Sequence, residues 1–170
     1  IDNNNNIYVV SSTFSDDLPV SPNSFQPTLK GLQDGCIIKM DNQLSTIIWA
    51  SYIGGDKDDA AYSLQIDSDD NLYVTGGTVS DNFPTTPYAY NTSYNDSINA
   101  DAFVSKIDKD GLSILSSTFF GSEKYDQSYF IEMNKSNQIY ILGQTKADST
   151  FLTFNSNYYI ENGGQFIAVF

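Results

Sequence analysis

The chain has no histidine and no arginine, and it carries one cysteine and one tryptophan among 170 residues. Its basic side chains are eight lysines set against 21 acids, a net charge of -13 with a pI near 4.1. Such a chain repels nucleic acid and anionic membrane surfaces, so neither is expected as a partner. A single cysteine, Cys36, excludes a disulfide within the chain. No apolar run approaches the roughly 18 residues of a membrane-spanning helix, so no membrane insertion is expected. No window sustains a 3.6-residue apolar period, so helices should be almost absent.

What the chain does have is repetition. Ile66-Asp67-Ser68-Asp69-Asp70-Asn71-Leu72-Tyr73-Val74 answers Ile1-Asp2 through Ile7-Tyr8-Val9, and Met133-Asn134 through Ile139-Tyr140-Ile141 answers both. A second block recurs in step: Asp34-Gly35-Cys36-Ile37-Ile38-Lys39-Met40-Asp41 matches Asp101 through Asp108, and Gly164 to Phe170 begins a third copy. A period of about 66 residues means equivalent units stacked on one another, each too small to bury a core alone. Within the complete unit, Tyr62 to Ile66, Leu72 to Thr75, Asp101 to Ile107 and Ile114 to Phe120 read as strands. Asp67 to Asn71 and Asp108-Lys109-Asp110-Gly111 read as turns, with Gly111 free to take a positive φ. Four antiparallel strands per unit is a β-propeller blade, so the fold class is all-β.

Asn71-Leu72-Tyr73-Val74-Thr75-Gly76-Gly77-Thr78, then Phe83-Pro84-Thr85-Thr86-Pro87, then Asp101-Ala102-Phe103-Val104-Ser105-Lys106 closely resembles the SBBP-type β-propeller repeat. The third copy departs from the pattern, with Phe151-Leu152-Thr153-Phe154 in place of the proline-threonine block and Gly164-Gln165 in place of Asp-Ala. The resemblance implies a secreted or cell-surface bacterial protein, extracellular or on the outer surface, with no catalytic residue assigned to the repeat. It further implies a gram-negative exporter with a type IX secretion route, and gliding motility.

The expected organisation is a segment of a β-propeller of roughly two and a half blades. Residues 1–55 form a partial blade of three strands, 56–121 a complete blade, and 122–170 a second partial blade of three strands. On this reading the piece continues into the remainder of its own propeller and does not fold alone as a stable monomer. Strand parity sorts the loops onto two faces. One is tight and acidic, with Asp67, Asp69, Asp70, Asp108 and Asp110. The other carries the long excursions 15–33 and 79–100, together with the loops at Gly54 and Gly121.

Long loops on a rigid scaffold are where binding resides, so the non-recurring residues there are the candidates for a protein or glycan partner: Phe83, Tyr88, Tyr94, Asp56 and Asp58, with Trp49 and Asp96 also standing out. Recurring residues read as scaffold. Gly54 and Gly121, and Asp59 and Asp126, fall at one offset, the carboxylates accepting backbone N–H bonds. Tyr8, Tyr73 and Tyr140 read as packing residues between blades. Cys36 is placed at the strand position of Ala102 and expected to be a small buried residue.

Three chemical readings compete with that scaffold. Asp67 to Asn71 opens like a calcium loop, yet Leu72 and Thr78 stand where a helix-loop-helix site needs glycine and glutamate, so a plain turn is favoured and no cofactor is expected, with calcium the alternative. Asp58 with Asp59, or Asp56 with Asp126, could act as acid and base on a glycoside, but no histidine, cysteine pair or arginine assists, and no enzyme is expected. Asp96-Ser97-Ile98 and Asp148-Ser149-Thr150 resemble an O-glycan acceptor pattern of exported proteins, which marks Ser97 and Ser149 for O-glycosylation. The resulting reading is a non-catalytic binding or adhesion module. The alternatives are a propeller accessory to a polysaccharide-acting enzyme and a structural spacer of a surface filament.

Overall fold

The computed structural model describes residues 1–94, 98–148 and 164–170. Ten strands and no helix lie among the described residues. They are β1 (Ile7–Thr13), β2 (Asp34–Met40), β3 (Ile47–Ile53), β4 (Asp59–Ile66), β5 (Leu72–Thr78), β6 (Asp101–Ile107), β7 (Ile114–Phe120), β8 (Asp126–Met133), β9 (Ile139–Thr145) and β10 (Gln165–Val169). They pair antiparallel in three sheets, ordered β1-β2-β3, β4-β5-β6-β7 and β10-β9-β8. The all-β expectation and the four-stranded unit both hold.

Register shows how far the units are equivalent. Tyr8 lies opposite Lys39, Tyr73 opposite Lys106 and Tyr140 opposite Val169, while Phe103 faces Gly76 as Phe166 faces Gly143. The same register corrects one placement. Cys36 faces Ser11, the counterpart of Gly76, so it occupies the position of Phe103, and Gly35 is the counterpart of Ala102. Cys36 is buried all the same.

Alternation along each strand divides the side chains between two interfaces. Leu72, Val74, Phe103, Ile107 and Phe119 of the second sheet pack with Tyr8, Ile37, Trp49 and Ile53 of the first. Ala102 and Val104 turn the other way and pack with Ile131, Ile139, Ile141 and Phe166 of the third. Each sheet is thus buried by its neighbour, as a repeat array requires.

The turns joining β4 to β5 and their counterparts are built on one side chain. Asp67 Oδ1 accepts the N–H groups of Asp69 and Asn71 at 3.0 and 2.9 Å, and Asp2 Oδ1 accepts those of Asn4 and Asn6 at 3.0 and 2.8 Å. Lys106 reaches Asp67 at 2.8 Å and Lys39 reaches Asp2 at 3.0 Å, each ammonium 4.9 Å from the ring centre of the adjacent tyrosine, Tyr73 or Tyr8. Burial alone would raise the Asp2 carboxyl, but the Asn6 side chain, Lys39 and the Asn6 and Asn4 amides outweigh it and hold it at about 2. In the third unit Asn134 replaces the aspartate, accepting Ser136 and Gln138 N–H at 2.8 and 3.0 Å, and Val169 replaces the lysine. Charge is lost from both partners together, as expected if either alone would be an uncompensated buried charge. Lys106→Val should therefore cost about 2 kcal/mol, and Asp67→Asn added to it should recover most of that loss. Urea unfolding of the two single variants and the double variant measures the coupling.

The long loops do not stand away from the sheets. Ser21 N donates to Ala50 O at 2.9 Å and Tyr52 N to Gln26 O at 3.1 Å; one unit later Thr86 N donates to Ser117 O at 3.0 Å and Phe119 N to Asn91 O at 3.0 Å. Each loop folds back along the outermost strand, β3 or β7, and covers an edge that would otherwise expose unpaired backbone. Trp49, which stands out in the sequence as non-recurring, belongs to this scaffold too. It is buried, donates Nε1–H to Lys109 O at 3.0 Å, and lies where a Cβ on Gly111 (φ 70°) would come within 2.6 Å of its ring.

Candidate binding site at the inner strands

The first strand of each unit, β4 or β8, contains a bulge. Pairing of β4 with β5 slips between Ala61 and Ser63, and pairing of β8 with β9 slips between Ser128 and Phe130. The residues left out of the ladder are Tyr62 and Tyr129. Such bulges kink a strand and re-aim a side chain. Both need a glycine across the ladder, because a Cβ on Gly76 would stand 1.9 Å from Ala60 O and one on Gly143 2.1 Å from Gln127 O.

The two bulged tyrosines meet. Their ring centres are 5.5 Å apart with planes at 44°, and Tyr62 remains 42 % exposed. Tyr125 joins them, its hydroxyl 3.0 Å from that of Tyr129. Gln127 Oε1 accepts from Tyr125 at 2.8 Å and from Tyr129 at 3.2 Å, while Gln144 Oε1 lies 3.4 Å from the Tyr129 hydroxyl. Burial and then the neighbouring Tyr129 hydroxyl push the Tyr125 phenol well above its ordinary range, and burial followed by Tyr129 raises Tyr62 as well. These phenols stay neutral at physiological pH. Lys146 rests 5.5 Å from the Tyr125 ring centre. The arrangement offers an aromatic surface and uncharged donors and acceptors, the equipment of a binding site.

Tyr62 and Tyr129 recur at one position of the unit, and recurrence alone does not tell a scaffold residue from an accessible one.

The loop candidates separate. Asp56 and Asp58 are exposed, flanking Lys57, whose ammonium is 3.7 Å from Asp81 at the surface. Tyr88 is fully exposed at the tip of its loop, with φ 66°. Phe83 is not a surface residue: it is 3 % exposed, its ring 4.4 Å from Phe103 and 6.0 Å from Phe119. Its apolar ring completes the core between the first two sheets. Tyr94 is half-buried against Phe119 at 6.0 Å and donates its hydroxyl to Asn99 O, so it too is held by packing. Asp96, Ser97 and Ser149 lie outside the described residues.

Each of the two carboxylate pairs considered as acid and base joins an exposed residue with a buried one. Asp58 is exposed and Asp59 is buried. Asp126 accepts Ser122 N–H and Oγ–H at 2.6 and 2.8 Å, remote in role from exposed Asp56. Asp59 Oδ2 accepts Gly55 N–H at 2.6 Å and Ser80 Oγ–H at 2.8 Å, while its Oδ1 is buried without a hydrogen bond. Asp34, also buried, accepts Gln26 Nε2–H at 2.7 Å, Lys30 N–H at 2.9 Å and Gly31 N–H at 3.1 Å. A Cβ on Gly54 would stand 2.7 Å from both the Asp34 and the Asp59 carboxylates, so the two converge over that glycine. Burial raises Asp59 to about 6 against the pull of Thr78, Gly55 and Ser80, and the Asp34 charge adds to the rise.

A family model of the SBBP beta-propeller repeat matches residues 48–84, which run from β3 through the Gly54 loop, β4 and β5 into the start of the loop after β5. The matched stretch contains the Tyr62 bulge and its glycine. No curated protein matches the chain. No helix among the described residues is long and apolar enough to cross a membrane.

Proposed function

We propose that this chain is a non-catalytic propeller module of a secreted or cell-surface protein, and that it binds a protein or glycan partner. The observation that carries the reading is the convergence of Tyr62, Tyr125 and Tyr129 from two adjacent units at one accessible edge. Neutral phenols and amides recognise a ligand by shape and hydrogen bonding. Exposed Asp56, Asp58 and Tyr88 extend the accessible surface beyond that edge. The test incubates the 170-residue chain with insoluble polysaccharides and with immobilised extracellular proteins, scoring retention and product release together. Retention with no release of reducing ends or peptides is the expected result. Release of product would replace this reading with the polysaccharide-acting enzyme, and no retention on any surface would leave the structural spacer.

A further inference from the structure

The groups that meet at the inner strands have a chemical bias. Two phenols, Tyr125 and Tyr129, and two carboxamides, Gln127 and Gln144, come together within hydrogen-bonding distance, and the Tyr62 ring lies against that of Tyr129. Lys146 lies 5.5 Å from the Tyr125 ring centre. The chain as a whole carries a charge of -13, which disfavours anionic ligands at any surface without a basic patch. Two rings of adjacent units, 5.5 Å apart and inclined at 44°, present aromatic surface next to hydroxyl and amide groups. Apolar C–H faces flanked by equatorial hydroxyls match such a surface. A flat apolar ligand would also cover these hydroxyl and amide groups and shield them from water, at a cost.

We infer that the Tyr62–Tyr125–Tyr129 edge, with Gln127 and Gln144, is a subsite for an uncharged sugar unit of a glycan chain. The inference rests on the binding-module reading and names its site and ligand class. Tyr62 and Tyr129 supply stacking surface, and the Tyr125 hydroxyl with the two carboxamides fixes the sugar hydroxyls. Because the bulge recurs in successive units, a ligand with repeating sugars can engage both rings.

Titration calorimetry on the 170-residue chain with neutral hexasaccharides, β-1,4-glucan, α-1,4-glucan, β-1,4-xylan and β-1,4-mannan, tests this. At least one should bind with a Kd below about 1 mM, and Tyr62→Ala should weaken it by about tenfold or more, a difference typical of one lost anchoring contact. Tyr62→Phe should retain most of the affinity, which separates lost stacking from a disturbed fold. Leu112→Ala, exposed in the turn after Gly111 and outside the binding surface, should leave affinity unchanged. Absence of binding to every neutral oligosaccharide overturns the inference, as does binding only to an anionic polysaccharide or a peptide. Binding of a neutral oligosaccharide that Tyr62→Ala leaves unaffected overturns the site while the module reading stands.

Discussion

Gly76→Ala is expected to be the most damaging small substitution in the second sheet, costing about 3 kcal/mol or more. The added methyl would meet the Ala60 carbonyl oxygen at 1.9 Å, and its neighbours leave no flexible side chain to yield. Either β4 shifts off β5 or the bulge is lost, and in both cases Tyr62 leaves Tyr129. The first unit supplies the control. Ser11 faces Cys36 as Gly76 faces Phe103, yet it is exposed and already carries a side chain, because among the described residues no strand pairs with the other edge of β1. Ser11→Ala should stay within about 0.5 kcal/mol of the parent. Equilibrium unfolding in urea measures both, and near-UV dichroism reports whether the tyrosine pair survives. A Gly76→Ala protein with unchanged stability would show that the bulge does not depend on the glycine.

Stability should also fall as pH rises, opposite to the usual behaviour of a buried aspartate in an ion pair. Asp59 titrates near 6 in the folded protein against 3.8 for the unperturbed group. The folded state therefore binds that proton more tightly than the unfolded chain, so its contribution is complete below about pH 4 and is lost as pH rises through 6. A shift of about two units corresponds to about 3 kcal/mol. Asp34, raised mainly by burial, acts in the same direction. The hydrogen-bonded carboxylates Asp2, Asp67 and Asp108 are held low and act oppositely, withdrawing stability as pH falls below the unfolded value. The two sets place maximum stability near pH 4, with the Asp59 contribution declining between about 4 and 6. Asp59→Asn keeps an acceptor for Gly55 N–H and Ser80 Oγ–H and has no proton to lose. It should flatten the decline between about pH 4 and 6 and remain more stable than the parent at pH 8. Thermal melting of both proteins from pH 4 to 9 checks this, and parallel curves for the two would rule Asp59 out as the titrating group.

Much of the fold was legible because it is written more than once. The limits of β6 and β7, the turn at Gly111 and the equivalence of Tyr8, Tyr73 and Tyr140 all followed from repeated blocks and turn residues, and the structure reproduces them. The site was less legible, for identifiable reasons. Loop length was read as projection, but Thr86 and Asn91 hydrogen-bond to the outermost strand, a pairing between residues about 30 apart that no local pattern announces. Phe83 and Trp49 were judged from their loop or non-recurring positions, whereas their exposure is set by neighbouring strands and turns. Tyr62 and Tyr129 lie in regular-looking strands, and only a one-residue slip in pairing turns them out of the ladder.

The folded-back loop around Tyr88 has a practical consequence for engineering. Thr86 is fastened to Ser117 and Asn91 to Thr118 and Phe119, so the chain is clamped on both sides of a tip whose tyrosine is fully solvent-exposed. A foreign peptide spliced in after Tyr88 would start and finish at two fixed anchors and disturb neither sheet. Each doubling of such an insert should cost only about 0.6 kcal/mol in closure entropy, which makes this tip a display position for an epitope or a protease-cleavable tag on an otherwise closed blade.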